Sequence, residues 1–208
     1  MRKWIGIICV LLGVLCILSA IGFIAYNRWE DKNAEDIAQD LLKDVQNIIN
    51  EPLPEQILPD ETIGLPDDEE KAPVEMATVE VDGYDCIGIL SVPVLDLELP
   101  VLTDWNYSKL KKAPCHYYGS YYEKDFVIAA HNYKSHFGRL SELQAGDIVI
   151  FTDVNGVAHY YEVVILETLP KNATKEMITS GFDLSLYTCT PGGSNRVTVR
   201  CYIAKGST

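Results

Sequence analysis

The chain has 208 residues, with 30 acidic side chains against 17 Lys and Arg and a formal net charge of −13 at pH 7. Binding to a phosphate backbone needs clustered cations, so this balance argues against a nucleic-acid surface. A hydrophobic content of 48% suits one packed domain with accessory segments.

Residues 1–3 carry Arg2 and Lys3, and Trp4 to Tyr26 follows as an almost unbroken apolar run without a charge. At about 1.5 Å rise per residue, such a helix crosses a hydrocarbon core of about 30 Å. The two leading cations favour a cytoplasmic N-terminus, although Arg28 and Lys32 just beyond the run weaken that bias. Ala20 is a small residue of the kind that ends a signal peptide, but the run is long for a signal h-region. The expectation is a retained single-pass anchor over 4–26, with the rest of the chain outside the cell.

Residues 27–50 predict an amphipathic stalk helix. Ala34, Ile37, Ala38, Leu41, Leu42, Val45, Ile48 and Ile49 recur at helical spacing, opposite Glu35, Asp36, Asp40, Lys43 and Asp44. This helix is expected to pack on the domain. Over 51–78, Pro52, Pro54, Pro59, Pro66 and Pro73 and the acidic stretch 66–70 predict a linker. A domain is expected over 79–208.

Within that domain the pattern is one of short strands: 84–92, 95–102, the continuous apolar run 126–131, 147–153, 157–168, 184–190 and 196–203. Asn155-Gly156 predicts a hairpin, because both residues tolerate positive φ, and the stretch 191–195 predicts another turn. Short helices are expected at 105–112 and 173–179. Closely spaced strands with turn signals predict an all-β fold, a closed β-barrel of about eight strands with short helices, behind the N-terminal transmembrane helix.

Strand alternation sorts the last two strands into faces. Val197, Val199, Cys201 and Ile203 form an apolar face and are expected in the core, whereas Arg196, Thr198, Arg200 and Tyr202 form the other. Leu184, Leu186 and Thr188 alternate with Ser185, Tyr187 and Cys189. Cys189 therefore lies on the more polar face, with Arg196 on the facing strand. A nucleophilic Cys needs thiolate character and an acid/base partner. Among four histidines, His131 ends an apolar strand at its rim, and His136 in the next turn is its rival. His159, in mid-hairpin, reads as a surface strand residue, and His116 follows Cys115.

From about Tyr84 to Ile203 the chain resembles the sortases. Ser185-Leu186-Tyr187-Thr188-Cys189 is similar to the T-L-x-T-C strand end of that family, with Ser for the first Thr. Ala130-His131 matches its His motif, Arg196 its Arg after the Cys, and 87–101 its first two strands. The resemblance implies a sortase-type barrel and a cysteine transpeptidase of a Gram-positive-like cell surface. Cys189 would be the nucleophile, His131 the acid/base and Arg196 the oxyanion or substrate donor, with Arg200 and His136 as fallbacks. Tyr187 and Thr188 would contact the substrate, an LPxTG-like sorting-signal protein.

The acceptor would be an amine of a peptidoglycan precursor, or a pilin Lys if the enzyme polymerises pilins. The remaining alternative is a non-catalytic anchored β-domain. No cofactor is implied, and no calcium loop pattern or other metal site is expected. With no long helical insertion before the Cys strand, no D-P-aromatic lid and no second apolar run, a class D-like or class A-like member is expected. Leu58-Pro59-Asp60-Glu61-Thr62 resembles a sorting signal with one extra residue, but an acidic spacer is the plainer reading.

Overall fold

The computed structural model describes residues 2–50 and 75–205. The Leu-Pro repeats of the expected linker lie outside the described residues.

The N-terminal part is one helix, α1 (Arg2–Asn50), where the sequence pattern suggested an anchor followed by a separate stalk. The difference has a plain cause: no Gly or Pro occurs between Phe23 and Asn50, so nothing interrupts the hydrogen-bond ladder. Its two halves differ in what they bury. Side chains such as Leu11, Leu15, Leu18 and Phe23 are exposed over the apolar run, and the helix is long and apolar enough to cross a membrane. Further on, Ala34, Ala38, Leu41, Leu42 and Val45 are buried against the barrel, with Cys86, Ile89, Leu102 and Cys115 beneath them. Each buried Leu contributes about 1.5–3 kcal/mol relative to exposure, so docking of this segment is strongly favoured.

The remaining elements are β1 (Val79–Val81), β2 (Tyr84–Val92), β3 (Leu97–Leu102), α2 (Tyr107–Leu110), β4 (Cys115–Tyr118), β5 (Phe126–Ala129), β6 (Ile148–Asp153), β7 (Ala158–Pro170), α3 (Thr174–Ile178), β8 (Leu184–Cys189) and β9 (Asn195–Ile203). The sheet runs β1-β2-β3-β4-β5-β8-β9-β7-β6, and β2 also pairs with β6. That pairing closes β2 to β9 into an eight-stranded barrel and leaves β1 as a short addition to the start of β2. Closure demands close backbone approach at Gly88, where β2 leaves its register with β3 and meets Asp153 of β6. Gly88 has φ 154, and a Cβ there would collide with the Thr152 carbonyl.

Two parallel pairings, β3–β4 and β5–β8, interrupt the antiparallel order. The second positions the site, because it lays the end of β5 beside the end of β8. The barrel interior is filled by Leu90, Leu99, Phe126, Ile128, Phe137, Phe151, Leu186, Val199 and others. Val199 and Cys201 point inward as alternation predicts, whereas Ile203, at the strand end, is 61% exposed. Neither β1 nor β4 was foreseen. His159, read as a surface strand residue, is half-buried: its ring lies 4.9 Å from that of Tyr121, and its Nε2 is 3.6 Å from the buried Asp153 carboxylate.

Candidate active site

The barrel rim at the ends of β5 and β8 holds a cavity of 240 Å³. Cys189, Arg196, Tyr187, Ala130, Trp105, Tyr107 and Tyr117 line it, and α3 with the preceding Ala173 closes one side through Thr174 and Met177. Cys189 is the last residue of β8 and pairs directly with Arg196 across the β8–β9 hairpin. The turn between them is tight: Thr190 N–H donates to Asn195 O at 3.0 Å, and Gly192 and Gly193 take the left-handed conformation that the turn requires. Arg196 Nη1 donates to the carbonyls of Gly193 (3.1 Å) and Asn195 (3.0 Å). The guanidinium is thus held at the rim with its other N–H groups uncommitted among the described residues. Cys189 is half-buried, unlike Cys86, Cys115 and Cys201, which are sealed in apolar surroundings. Burial pushes the thiols of Cys86 up to about 11 and of Cys115 and Cys201 up to about 12, which makes these three inert.

His131 sits one strand away. β5 and β8 pair in parallel through Ala129↔Tyr187, and the Ala130 N–H continues the ladder to Tyr187 O at 3.2 Å. His131 follows directly after that hydrogen bond, and Cys189 lies two residues beyond Tyr187 on β8. The His131 side chain, however, is not among those lining the Cys189 cavity. It faces a second cavity, of 750 Å³, with Asn27, Arg28, Glu30 and Asp31 of α1 and with Lys111, Asn132, Tyr133 and Lys134. Its ring stacks on Tyr133 at 4.6 Å with 12° between planes. Burial, with help from the nearby Lys111 cation, holds the His131 pKa below its ordinary value, while Glu30 pulls the other way.

The neighbourhood of His131 is built partly by α1. Glu30 Oε1 accepts from Lys111 Nζ at 2.7 Å, which holds the Glu30 carboxyl below its usual range. Asp31 Oδ1 accepts from Ser135 Oγ at 2.8 Å. The chain after His131 folds back tightly, with Phe137 N–H donating to His131 O (3.1 Å) and Gly138 N–H to Tyr133 O (2.7 Å).

The other sequence candidates fall elsewhere. Thr188, expected to contact substrate, is 3% exposed, and its hydroxyl donates to Ala130 O at 2.9 Å. It clips β8 to the end of β5, as its place on the Leu184–Leu186 face should have indicated. Tyr187 does line the cavity, edge-on to Tyr117 at 5.3 Å.

Neither fallback meets the cavity. His136 is fully buried under α1 with no hydrogen-bond partner on either ring nitrogen among the described residues. Arg200 is 2% exposed and committed: Nε to Glu167 Oε1, Nη1 to Ser185 Oγ and Nη2 to Glu176 O, each at 2.8 Å. It pins α3 to the barrel, and it explains why a hydroxyl stands at the first position of Ser185-Leu186-Tyr187-Thr188-Cys189. Sequence reasoning missed Trp105, Tyr107 and Tyr117. Their aromatic clustering beside a short helix was the available signal.

The sortase domain family model matches residues 90–204, more than half of the chain. The chain belongs to the sortase family. The family and the barrel fold make it a cysteine transpeptidase. Among solved structures it is similar to sortase D5 of Clostridium perfringens, at 17% identity and TM-score 0.59, over 81% of this chain and 99% of that one. It is also similar to sortase C of Streptococcus pneumoniae, at 26% identity and TM-score 0.52, over 60% of this chain and 70% of that one. A third likeness is to sortase A of Corynebacterium diphtheriae, at 23% identity and TM-score 0.53, over 59% of this chain and 62% of that one. No curated protein matches the sequence. The similar structures span classes A, C and D, and the subclass stays open between them.

Proposed function

We propose that this sortase is anchored in the cell membrane by α1, with its barrel outside the cell, and that it transfers LPxTG-like sorting-signal proteins onto an amine of a cell-wall precursor. The observation that carries the reading is the pairing of Cys189 with Arg196 across the β8–β9 hairpin, next to β5, the strand that leads to His131.

Cys189 Sγ attacks the Thr carbonyl of the signal while its proton passes to His131. The C–S bond forms, the Thr–Gly C–N bond breaks, and the departing amine takes the proton from the His131 imidazolium. The acceptor amine then attacks the thioester, gives a proton to neutral His131, and releases the Cys189 sulfur. Arg196 donates to the oxyanion of each tetrahedral intermediate, where a fixed charged donor acts most strongly. Trp105, Tyr107, Tyr117 and Tyr187 give the cavity aromatic walls suited to the Leu-Pro end of the signal.

The similarity to class C structures favours a second reading, in which the acceptor is a Lys of a pilin subunit. The catalytic steps are the same in both.

The test uses the full chain in detergent micelles and a panel of LPxTG-type peptides. Mass spectrometry is expected to find a thioacyl adduct on the wild type and none on Cys189→Ala. His131→Ala is expected to abolish turnover, whereas His136→Leu retains it. A wild-type protein that forms no adduct with any peptide overturns the reading.

A further inference from the structure

The two cavities divide the reaction between them. One contains the nucleophile and its cationic partner; the other contains the base. No residue lines both, yet consecutive residues, Ala130 and His131, face one each. They differ in chemistry as well. The first is walled by aromatic side chains, which suits the acyl donor. The second carries charged and amide side chains around the stacked rings of His131 and Tyr133. An amine approaching His131 from the second cavity stays apart from the donor peptide until the thioester forms.

The charges in the second cavity narrow the ligand further. Glu30 is paired with Lys111, and Asp31 accepts from Ser135. Arg28 and Lys134 make no ion pair among the described residues, so the uncommitted charge is cationic. A ligand that fits must bring an amine to His131 and an anionic group to Arg28 and Lys134. The guanidinium fork of Arg28 matches a carboxylate.

We propose that the cavity between the Asn27–Asp31 turn of α1 and the segment His131–Lys134 is the acceptor site, taking a primary amine on a molecule that also carries a carboxylate. This rests on the transpeptidase reading above and adds to it the place and chemistry of the second substrate. From that site the amine reaches the thioester on Cys189; the new C–N bond forms, the C–S bond breaks, and the ammonium proton passes to His131 and on to the released sulfur. Because the site lies on the turn of α1 just after the apolar run, the acceptor is met beside the helix that leads to the membrane.

The experiment uses the full chain in detergent micelles, an LPxTG-type donor that acylates Cys189, and two probes, triglycine and triglycine amide. They differ only in the carboxylate. The wild type is expected to use triglycine at about tenfold lower concentration than the amide, a difference of about 1.4 kcal/mol. In R28Q/K134Q, two exposed positions, the KM for triglycine is expected to rise about tenfold and the preference to fall below threefold. The KM for the donor should move less than threefold.

Equal use of the two probes by the wild type overturns the site, as does a double variant that keeps the preference. A wild type that forms the thioacyl adduct but discharges it to triglycine no faster than to water also overturns the site while leaving the thioacyl-enzyme step intact. Absence of the adduct with every donor overturns both.

Discussion

Cys189 and Arg196 face each other at the open end of the β8–β9 hairpin, and the guanidinium is tied to the carbonyls of its own turn, Gly193 and Asn195. The sulfur and the cation therefore sit on one small rigid unit. Their separation is set by strand pairing and not by loop conformation. Ser185, lower on the same strand, holds Arg200, which in turn holds α3 against the cavity.

Arg196→Lys keeps the charge but replaces a planar fork of five donors by a single nitrogen with three, so a donor held on the turn carbonyls is no longer aimed at substrate from the other end of a rigid group. Loss of one oxyanion donor commonly lowers kcat by about 10²–10³-fold. We expect a fall of that size in turnover of an LPxTG-type peptide, with Tm within about 2 °C of wild type, because the side chain is only half-buried. Steady-state kinetics on the full chain measures it. Turnover within threefold of wild type would show that Arg196 does not stabilise the oxyanion.

Arg200 should behave in the opposite way. Arg200→Met leaves the Ser185 hydroxyl and the Glu176 carbonyl without their donor and the Glu167 carboxylate without its cation. Breaking a buried pair costs about 3–5 kcal/mol, and the partial exposure of Glu167 sets the lower end. At roughly 2–4 °C per kcal/mol for a protein of this size, Tm is expected to fall by about 6–12 °C in a thermal melt. The donor KM should rise as α3 loosens. An unchanged Tm would refute the pinning role.

The contrast between these two arginines shows what the sequence carried and what it did not. Alternation put both on the same outer face of β9, and that was right. Which of them is free depends on α3, a five-residue helix that covers Arg200 and not Arg196; strand periodicity carries no information about it. Cys189 was legible because its motif, the turn after it and the facing Arg196 lie within a few residues of one another. Thr188 was read from its motif position, whereas its alternation with Leu184 and Leu186 marks the buried side chain that the structure has. The surroundings of His131 were illegible, since Glu30 and Asp31 come from a helix about a hundred residues upstream and no local pattern links them. The uninterrupted course of α1 was open to inspection: the lack of Gly or Pro between its halves is a sequence fact.

Gly138 offers a steric test of the loop that carries His131. A Cβ there would lie 2.6 Å from the carbonyl oxygens of both Asn132 and Tyr133. Gly138→Ala must push that backbone away and shift the Tyr133 ring that stacks on His131. Overpacking of this kind costs about 1–3 kcal/mol, and turnover is expected to fall at least tenfold, since small displacements of a catalytic group are costly. The fall should appear in kcat more than in donor KM, because the donor cavity is lined by other residues. A variant with wild-type kcat would mean that the loop tolerates displacement and that its tight turn does not position His131.

His136 gives the domain a pH dependence that can be isolated. It is fully buried between the barrel and α1, and burial pushes its pKa down from 6.5 to about 4, with the His131 side chain adding to the effect. The groups facing it are His131 and Tyr133 from its own loop and Asp31 and the Ala34 backbone from α1, none of which closes a well-formed hydrogen bond to the ring. Because the folded value lies below the unfolded one, the unfolded chain takes up the proton more readily. The contribution to stability is complete above about pH 6.5 and is lost as the pH falls towards 4, up to about 3 kcal/mol in all. His136→Leu replaces an unpaired imidazole by an apolar side chain and cannot titrate. Melts from pH 7.5 to 4.5 should show the wild type losing more Tm than the variant on acidification. The variant should be at least as stable at pH 7.5, since the ring nitrogens it removes are unsatisfied. Parallel pH profiles for the two proteins would mean that α1 opens enough for the imidazole to meet water in the folded state.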